Sequence, residues 1–311
     1  MRQLFLTMVA AAGLLVPPAT ATGQNINMSA DDEAPNDCAS LNVQFDDRPA
    51  VRAEQSLTVG KSQGFIKMTA PRHGGIRVRG ANRGDILVRV CKAVPTEGQD
   101  SGSAQLDRIV GAVSGDTVTV TGPAHDRWVA YLLVDAPEGA MLDLEATNGP
   151  LDIRDFRGRV RATTMNGPIG LANVAGEVSA RAQNGPIGFE GQAGKIDLDT
   201  QNGPIQVRLA GTKWDGGGLT ARAQNGPVDV AVPRGYQSGV RVASEGHSPW
   251  SCKHTACDGG QRTWDEQGRQ IDFGEGPRLV QITTVNGPVQ INDATSPTWR
   301  VIASVTASCP R

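Results

Sequence analysis

The sequence predicts an all-β protein built as a single-stranded β-solenoid with rungs of about 18 residues, and three observations carry this. Asn-Gly-Pro occurs six times, at Asn148, Asn166, Asn184, Asn202, Asn225 and Asn286, and the first four copies are 18 residues apart. Aligned on the Asn, apolar residues recur at every second position on both sides of it. No stretch of the repeats shows the 3.6-residue period of a helix. Turn chemistry at one fixed phase of a short period marks a chain whose successive turns stack.

The long strand of each rung precedes the Asn. Six positions before it stand Leu142, Val160, Val178, Ile196, Leu219 and Val280, and four before it Leu144, Ala162, Ala180, Leu198, Ala221 and Ile282. The short strand follows, with Leu151, Ile169, Ile187, Ile205, Val228 and Val289 three residues after the Asn, then Ile153, Leu171, Phe189, Val207, Val230 and Ile291. The residues between them are polar or small, so one face of each strand turns inward and the other meets water. Asn and Gly tolerate left-handed backbone angles and Pro fixes φ, which makes Asn-Gly-Pro a corner; Gly158, Gly176 and Gly194 mark the second corner. Rungs about 4.8 Å apart place the Asn side chains within reach of one another as a ladder. Corner chemistry accounts for the Asn column, with a ligand-binding ridge as the other reading.

The period breaks in three places. Five extra residues lie between Val207 and Leu219, and three between Val230 and Val240, around Pro233-Arg234-Gly235. In the sixth rung Val240, Val242 and Ser244 fit the long strand, Ile271 and Phe273 fit the short one, and residues 247–269 form a loop that replaces the corner. On that reading, excising 248–268 leaves the fold intact. The loop holds His247, Trp250, Cys252, His254, Cys257 and Trp264, the place where a binding function would be grafted onto a solenoid. Two Cys and two His there fit a zinc site or a disulfide, and export favours the disulfide. Trp250 and Trp264 either cover the solenoid's flank or stack on a partner.

Residues 1–21 read as a secretory signal peptide: Arg2, an apolar run from Leu4 to Val16, and an Ala19-Thr20-Ala21 cleavage site. The run is too short to span a bilayer, and no Cys follows it to take a lipid. The expected product is exported to the periplasm or beyond, without an anchor. Residues 22–37 read as a disordered leader, 38–140 as irregular β rungs and a cap, 141–293 as the solenoid, and 294–311 as a C-terminal cap strand. All five Cys lie in the exported part; Cys38 with Cys91 and Cys252 with Cys257 are the preferred pairs, leaving Cys309 odd.

Lys and Arg number 30 against 32 Asp and Glu, a balance that argues against nucleic acid, and the Arg-Val-Arg runs (Arg77/Arg79, Arg159/Arg161) read as solvated outward charges. No cofactor or metal is expected; metal-dependent chemistry or sensing at His247, Cys252, His254 and Cys257 is a third functional reading, behind the two below.

Gly74-Gly75-Ile76-Arg77-Val78-Arg79-Gly80, then Leu133-Val134-Asp135-Ala136-Pro137-Glu138-Gly139-Ala140, and the repeated Thr/Gln-x-Asn-Gly-Pro-Ile units, together resemble a known family. It is the bacterial exported putative adhesin family of β-strand repeats, long catalogued as a domain of unknown function. The resemblance covers roughly residues 50–292 and implies the repeat fold and a binding role. Family repeats commonly carry Asn-Gly-Asp or Ser-Gly-Asp where this chain has Asn-Gly-Pro, and the 247–269 loop is a local addition.

Two functions follow. One is a non-enzymatic exported solenoid that binds a cell-surface glycan or protein, or serves as an envelope structural element. The other is a carbohydrate-active enzyme of the lyase or glycosidase type, for which the outward pair Asp197 and Asp199, near Arg181 and Arg222, are the candidate carboxylates. The inward assignment is testable: Ile187→Asp places an unpaired charge in the stacked interior and is expected to abolish cooperative folding. An unchanged thermal midpoint by circular dichroism would refute it.

Overall fold

The computed structural model describes residues 24–29, 37–60, 62–71, 73–96, 102–124, 127–246, 248–266, 268–294 and 305–309. The proposed signal peptide and His247 lie outside them. The chain is all-β, with a 12-stranded sheet and an 11-stranded sheet that share one core, and a separate sheet of four strands.

Through the repeats, successive strands alternate between the two large sheets. The long strands Met141–Ala146, Arg157–Thr164, Ala175–Ala182, Ala193–Thr200 and Asp215–Asn225 lie side by side in parallel in one sheet. The short strands Leu151–Arg154, Ile169–Ala172, Ile187–Gly191, Ile205–Leu209 and Val228–Val232 do so in the other. Each inward column is in register, Val160 beside Val178 and Ile187 beside Ile205. All 24 residues of the four aliphatic columns named above are 2% exposed or less. Both sheets are nonetheless large and mixed, with antiparallel strands at their ends, so a uniform single-stranded coil does not describe the whole chain.

The corners work differently from the sequence expectation. Gly149, Gly167, Gly185, Gly203, Gly226 and Gly287 are absent from the residues with positive φ. A Cβ on any of them would collide with a carbonyl oxygen of the neighbouring layer: that of Gly74 for Gly149, of Gly149 for Gly167, and so on to that of Gly226 for Gly287. Stacking distance, and not left-handed geometry, demands glycine there. The left-handed requirement sits at the second corner, where Gly176 and Gly194 both have φ 104°. The proline carbonyls serve the ladder: Leu151 N–H donates to Pro168 O at 3.0 Å and Ile169 N–H to Pro186 O at 2.9 Å.

Layer order departs from chain order. Glu275–Asn286 and Val289–Asp293 stack directly on the fifth rung, Leu219 beside Val280 and Val228 beside Val289. Ser238–Ser244 lies outside them, Val240 beside Val280. The three extra residues near Pro233 therefore belong to a link that skips a layer. The short strand of the outer layer is Trp250–Cys252, with Trp250 beside Val289 and Pro249 O accepting from Val289 N–H at 3.0 Å. Ile271 and Phe273 belong instead to Gly268–Phe273, which runs antiparallel to Ser238–Ser244 in the long-strand sheet and forms a hairpin with Gln261–Asp265. Residues 248–266 are thus much of the terminal cap. Cys257 is buried in the main core and Trp250, Cys252 and Ala256 pack against it, so excision of 248–268 removes core together with the outer short strand and does not leave the fold intact.

At the other end Ile66–Thr69 and Ile76–Gly80 make the first layer, beneath Leu142 and Leu151. Val51–Val59, Ile86–Val94 and Val129–Ala136 extend the short-strand sheet, and Val110–Ser114 and Thr117–Thr121 extend the long-strand sheet. Gln55 bridges the two sheets here: its amide gives and takes a 2.9 Å hydrogen bond with the backbone of Gly111. Cys38, Leu41, Val43 and Phe45 form a second core against Cys91, Val129, Tyr131 and Leu133. The Cys38–Cys91 disulfide, with Cα atoms 5.2 Å apart, ties this layer down. Arg77 is consequently not solvated: its Nε meets Asp152 at 2.7 Å with both side chains buried.

Gln24–Ser29, expected within a disordered leader, is a strand, and Val305–Cys309 pairs with it in the four-stranded sheet. That strand therefore joins the N-terminal sheet and does not cap the last layer. The alternation of Ile26 and Met28 with Asn is too short a signal to separate from a leader by eye.

Gly185→Ala is expected to cost about 2 kcal/mol or more, through overpacking against a backbone that cannot withdraw. Urea denaturation measures it; a loss under about 0.5 kcal/mol, an ordinary surface effect, would contradict the stacking constraint.

Candidate functional site

The Asn side chains form a continuous ladder along the corner. Asn166 donates through Nδ2 to Asn148 Oδ1 at 2.8 Å, and Asn184, Asn202, Asn225 and Asn286 each donate to the preceding Asn at 3.0 Å. Behind it, Thr164 Oγ1 accepts from Gly167 N–H at 3.0 Å, and Thr200 and Thr284 donate to the Gly185 and Gly226 carbonyls at 2.9 Å. The corner is held on both sides of the backbone.

Beside the ladder, on the outer face of the long-strand sheet, runs a shallow groove of about 560 Å³. Its walls include Thr147, Met165, Gln183, Gln201 and Gln224 next to the Asn column, and Thr163, Arg181 and Asp199 two residues further back. Met165 is 49% exposed. The rest of this face neutralises itself. Glu177 takes Lys195 at 3.0 Å, and that bond holds its carboxyl below the usual range. Arg181 approaches Asp197 at 3.5 Å, Arg222 pairs with Glu245 at 2.8 Å and Lys67 with Glu145 at 2.8 Å. Asp197 and Asp199, the candidate catalytic carboxylates, are both exposed on this open face.

A second cleft of about 730 Å³ lies where residues 60–66 and 80–86 meet the first repeats. Some of its polar groups are matched among themselves. Arg83 pairs with Asp85 at 2.8 Å, and Asn173 donates to Asp155 at 2.6 Å, both of the latter in left-handed backbone.

The terminal cap holds the other candidates. Cys252 and Cys257 are joined as a disulfide, Cα atoms 6.4 Å apart, which leaves no thiolate there for zinc. His254 is 3% exposed; its Nδ1 accepts from Ala256 N–H at 3.0 Å and its ring stacks on Phe273. Its Nε2 lies 3.5 Å from Asp293, which Arg234 also grips at 2.7 Å. This histidine is buried within the cap. Trp250 is half-buried against the core, while Trp264 is 57% exposed with the Arg269 guanidinium 5.3 Å from its ring. Of the loop residues expected to bind, Trp264 alone among those described presents itself to solvent. The groove was not singled out from the sequence, although the Gln183, Gln201 and Gln224 column next to the Asn column was there to be read.

Among the described residues no helix is long and apolar enough to cross a membrane.

No family model matches the chain, and no curated protein matches it. Among solved structures it is similar to a putative cell adhesion protein of Clostridium sporogenes, at 10% identity and a TM-score of 0.28 over 78% of this chain and 100% of that one. A putative adhesin of Bacteroides fragilis matches at 13% identity and 0.26, over 78% and 97%. A putative lipid binding protein of Parabacteroides distasonis matches at 7% and 0.31, over 77% and 96%. Scores this low carry no function across.

The cap also yields a pH dependence. Asp272 accepts from Arg241 at 2.8 and 2.9 Å and from Arg278 at 2.8 Å, linking three strands. The Arg241 hydrogen bonds, and then those of Arg278, hold its carboxyl below its ordinary 3.8. A carboxyl lowered by folding stabilises fully above about pH 4 and loses that stabilisation as pH falls through its folded value. Asp272→Asn is expected to cost about 2 kcal/mol at pH 7. The gap in thermal midpoint between variant and parent should narrow as pH falls below about 4 and through the lowered folded value; a gap independent of pH would overturn the assignment.

Proposed function

We propose that the chain is an exported, non-enzymatic β-solenoid that acts as a binding or adhesion element of the cell envelope. The solenoid reading is supported by strands that alternate between two sheets with uniform parallel register at an 18-residue offset. The signal peptide at 1–21, the leader and the division into cap, solenoid and terminal cap belong to the same reading. Two disulfides accord with an oxidising compartment.

The observation that carries the binding role is the character of the outer face. It is polar and open to solvent, and its carboxylates are exposed or ion-paired. Paired-carboxylate catalysis needs one acid kept protonated by burial beside an ionised partner. Asp197 and Asp199 stand open to water, so neither has that environment.

The test incubates the mature chain with whole cells and insoluble cell-wall polysaccharide, and measures both retention and the release of reducing ends or unsaturated sugars. Retention without product is the expected result. Product formed in proportion to protein, and lost in Asp199→Asn, would replace this reading with the enzyme.

A further inference from the structure

We propose that the groove along the Asn ladder binds an uncharged linear glycan lying parallel to the stacking axis. The inference rests on the binding role above and names its site and ligand class. Five rungs separate into four steps from Thr147 to Gln224, roughly 19 Å of continuous groove at the spacing of stacked strands, enough for several sugar units.

This strip carries a continuous row of unengaged hydrogen-bonding capacity. Among the described residues, no side-chain hydrogen bond or ion pair engages Thr147, Thr163, Gln183, Asp199, Gln201 or Gln224. Every neighbouring charge on the groove has a partner: Glu145 has Lys67, and Arg181 has Asp197. Asp199 lies in register between Arg181 and Arg222, yet both arginines turn to other carboxylates.

The chemistry selects the occupant. A glutamine amide offers two donors and an acceptor, and a carboxylate accepts from two neighbouring donors; a hydroxyl both gives and takes. A row of amides with one free carboxylate therefore complements a row of sugar hydroxyls. Met165, exposed in the midst of the row, gives an adaptable apolar contact for the C–H face of a ring. With one unmatched negative charge and its one arginine, Arg181, already facing Asp197, the groove disfavours an anionic polymer. An extended peptide would dock through a free strand edge, but the strands under this groove are paired on both sides.

The experiment is calorimetric titration of the mature chain with hexaoses of β-1,4-linked glucose and of N-acetylglucosamine, with an oligogalacturonate as the charged comparator. Gln201→Ala and Asp199→Asn alter the groove, Glu177→Gln alters the ion-paired strip, and Trp264→Ala alters the tip. Thermal midpoints verify that each variant is folded. The expected result is binding of a neutral hexaose, weakened about tenfold or more by each groove variant (about 1.4 kcal/mol) and unchanged by the other two. Equal affinity in parent and groove variants overturns the site. Loss in Trp264→Ala alone moves the glycan to the tip and overturns it too. Preference for the oligogalacturonate, or retention on cells without hexaose binding, overturns the ligand class while the binding role stands. Cleavage of a hexaose overturns the binding role itself.

Discussion

The whole arrangement depends on one column of close contacts, where each corner glycine faces the carbonyl of the glycine one layer away. Parallel strands must sit about 4.8 Å apart, and a corner has no pleat in which to hide a side chain. Removing the Cβ lets the backbone turn at that spacing without bulging. Once the corners coincide, everything else in the rung follows in register. Asn amides meet outside the turn, threonine hydroxyls meet it from within, and aliphatic side chains fall on one another along the axis. A residue that widened one corner would shift every column at once, which is why the repeats keep their phase so strictly.

The interior was legible because burial imposes a two-residue alternation that sequence displays directly. Val160, Val178 and Ile196 stand where that alternation puts them. Glycine at the corner was visible, but its cause was not: left-handed geometry and a crowded neighbour select the same residue, and only coordinates separate them. The order of layers was hidden for a deeper reason. A repeat shows which residue occupies each place in a rung, but any rung fits on any other, so stacking order is not encoded in the pattern. The extra residues near Pro233 were the trace of a skipped layer. Trp250 concealed the outer short strand by replacing an aliphatic, and Ile271 and Phe273 imitated that strand through a coincidence of spacing. Arg77 reads as surface because nothing local announces that it is buried against Asp152.

The outer surfaces divide according to how their charges are treated. On most of the long-strand sheet, acids and bases alternate between layers and satisfy each other. Such pairs in water contribute little to stability, but they leave the face electrostatically quiet. The amide strip beside the corner is quiet in another way, being mostly uncharged yet open to partners. Only a fixed scaffold can present flexible glutamine side chains at regular intervals. The tip, with Trp264 over Arg269, is a separate chemical surface at the far end of the stack.

The displaced layer has a consequence for how the molecule is made. Synthesis delivers the fifth rung long before the strands that lie directly on it, because Glu275–Asn286 follows the entire cap in the chain. Until that segment arrives, Asp215–Asn225 has an open edge, a template for mispairing with another copy. Assembly therefore cannot proceed as a simple zipper from one end. The penultimate layer is the last of the stack to be translated, and its long strand comes to lie between two strands made before it.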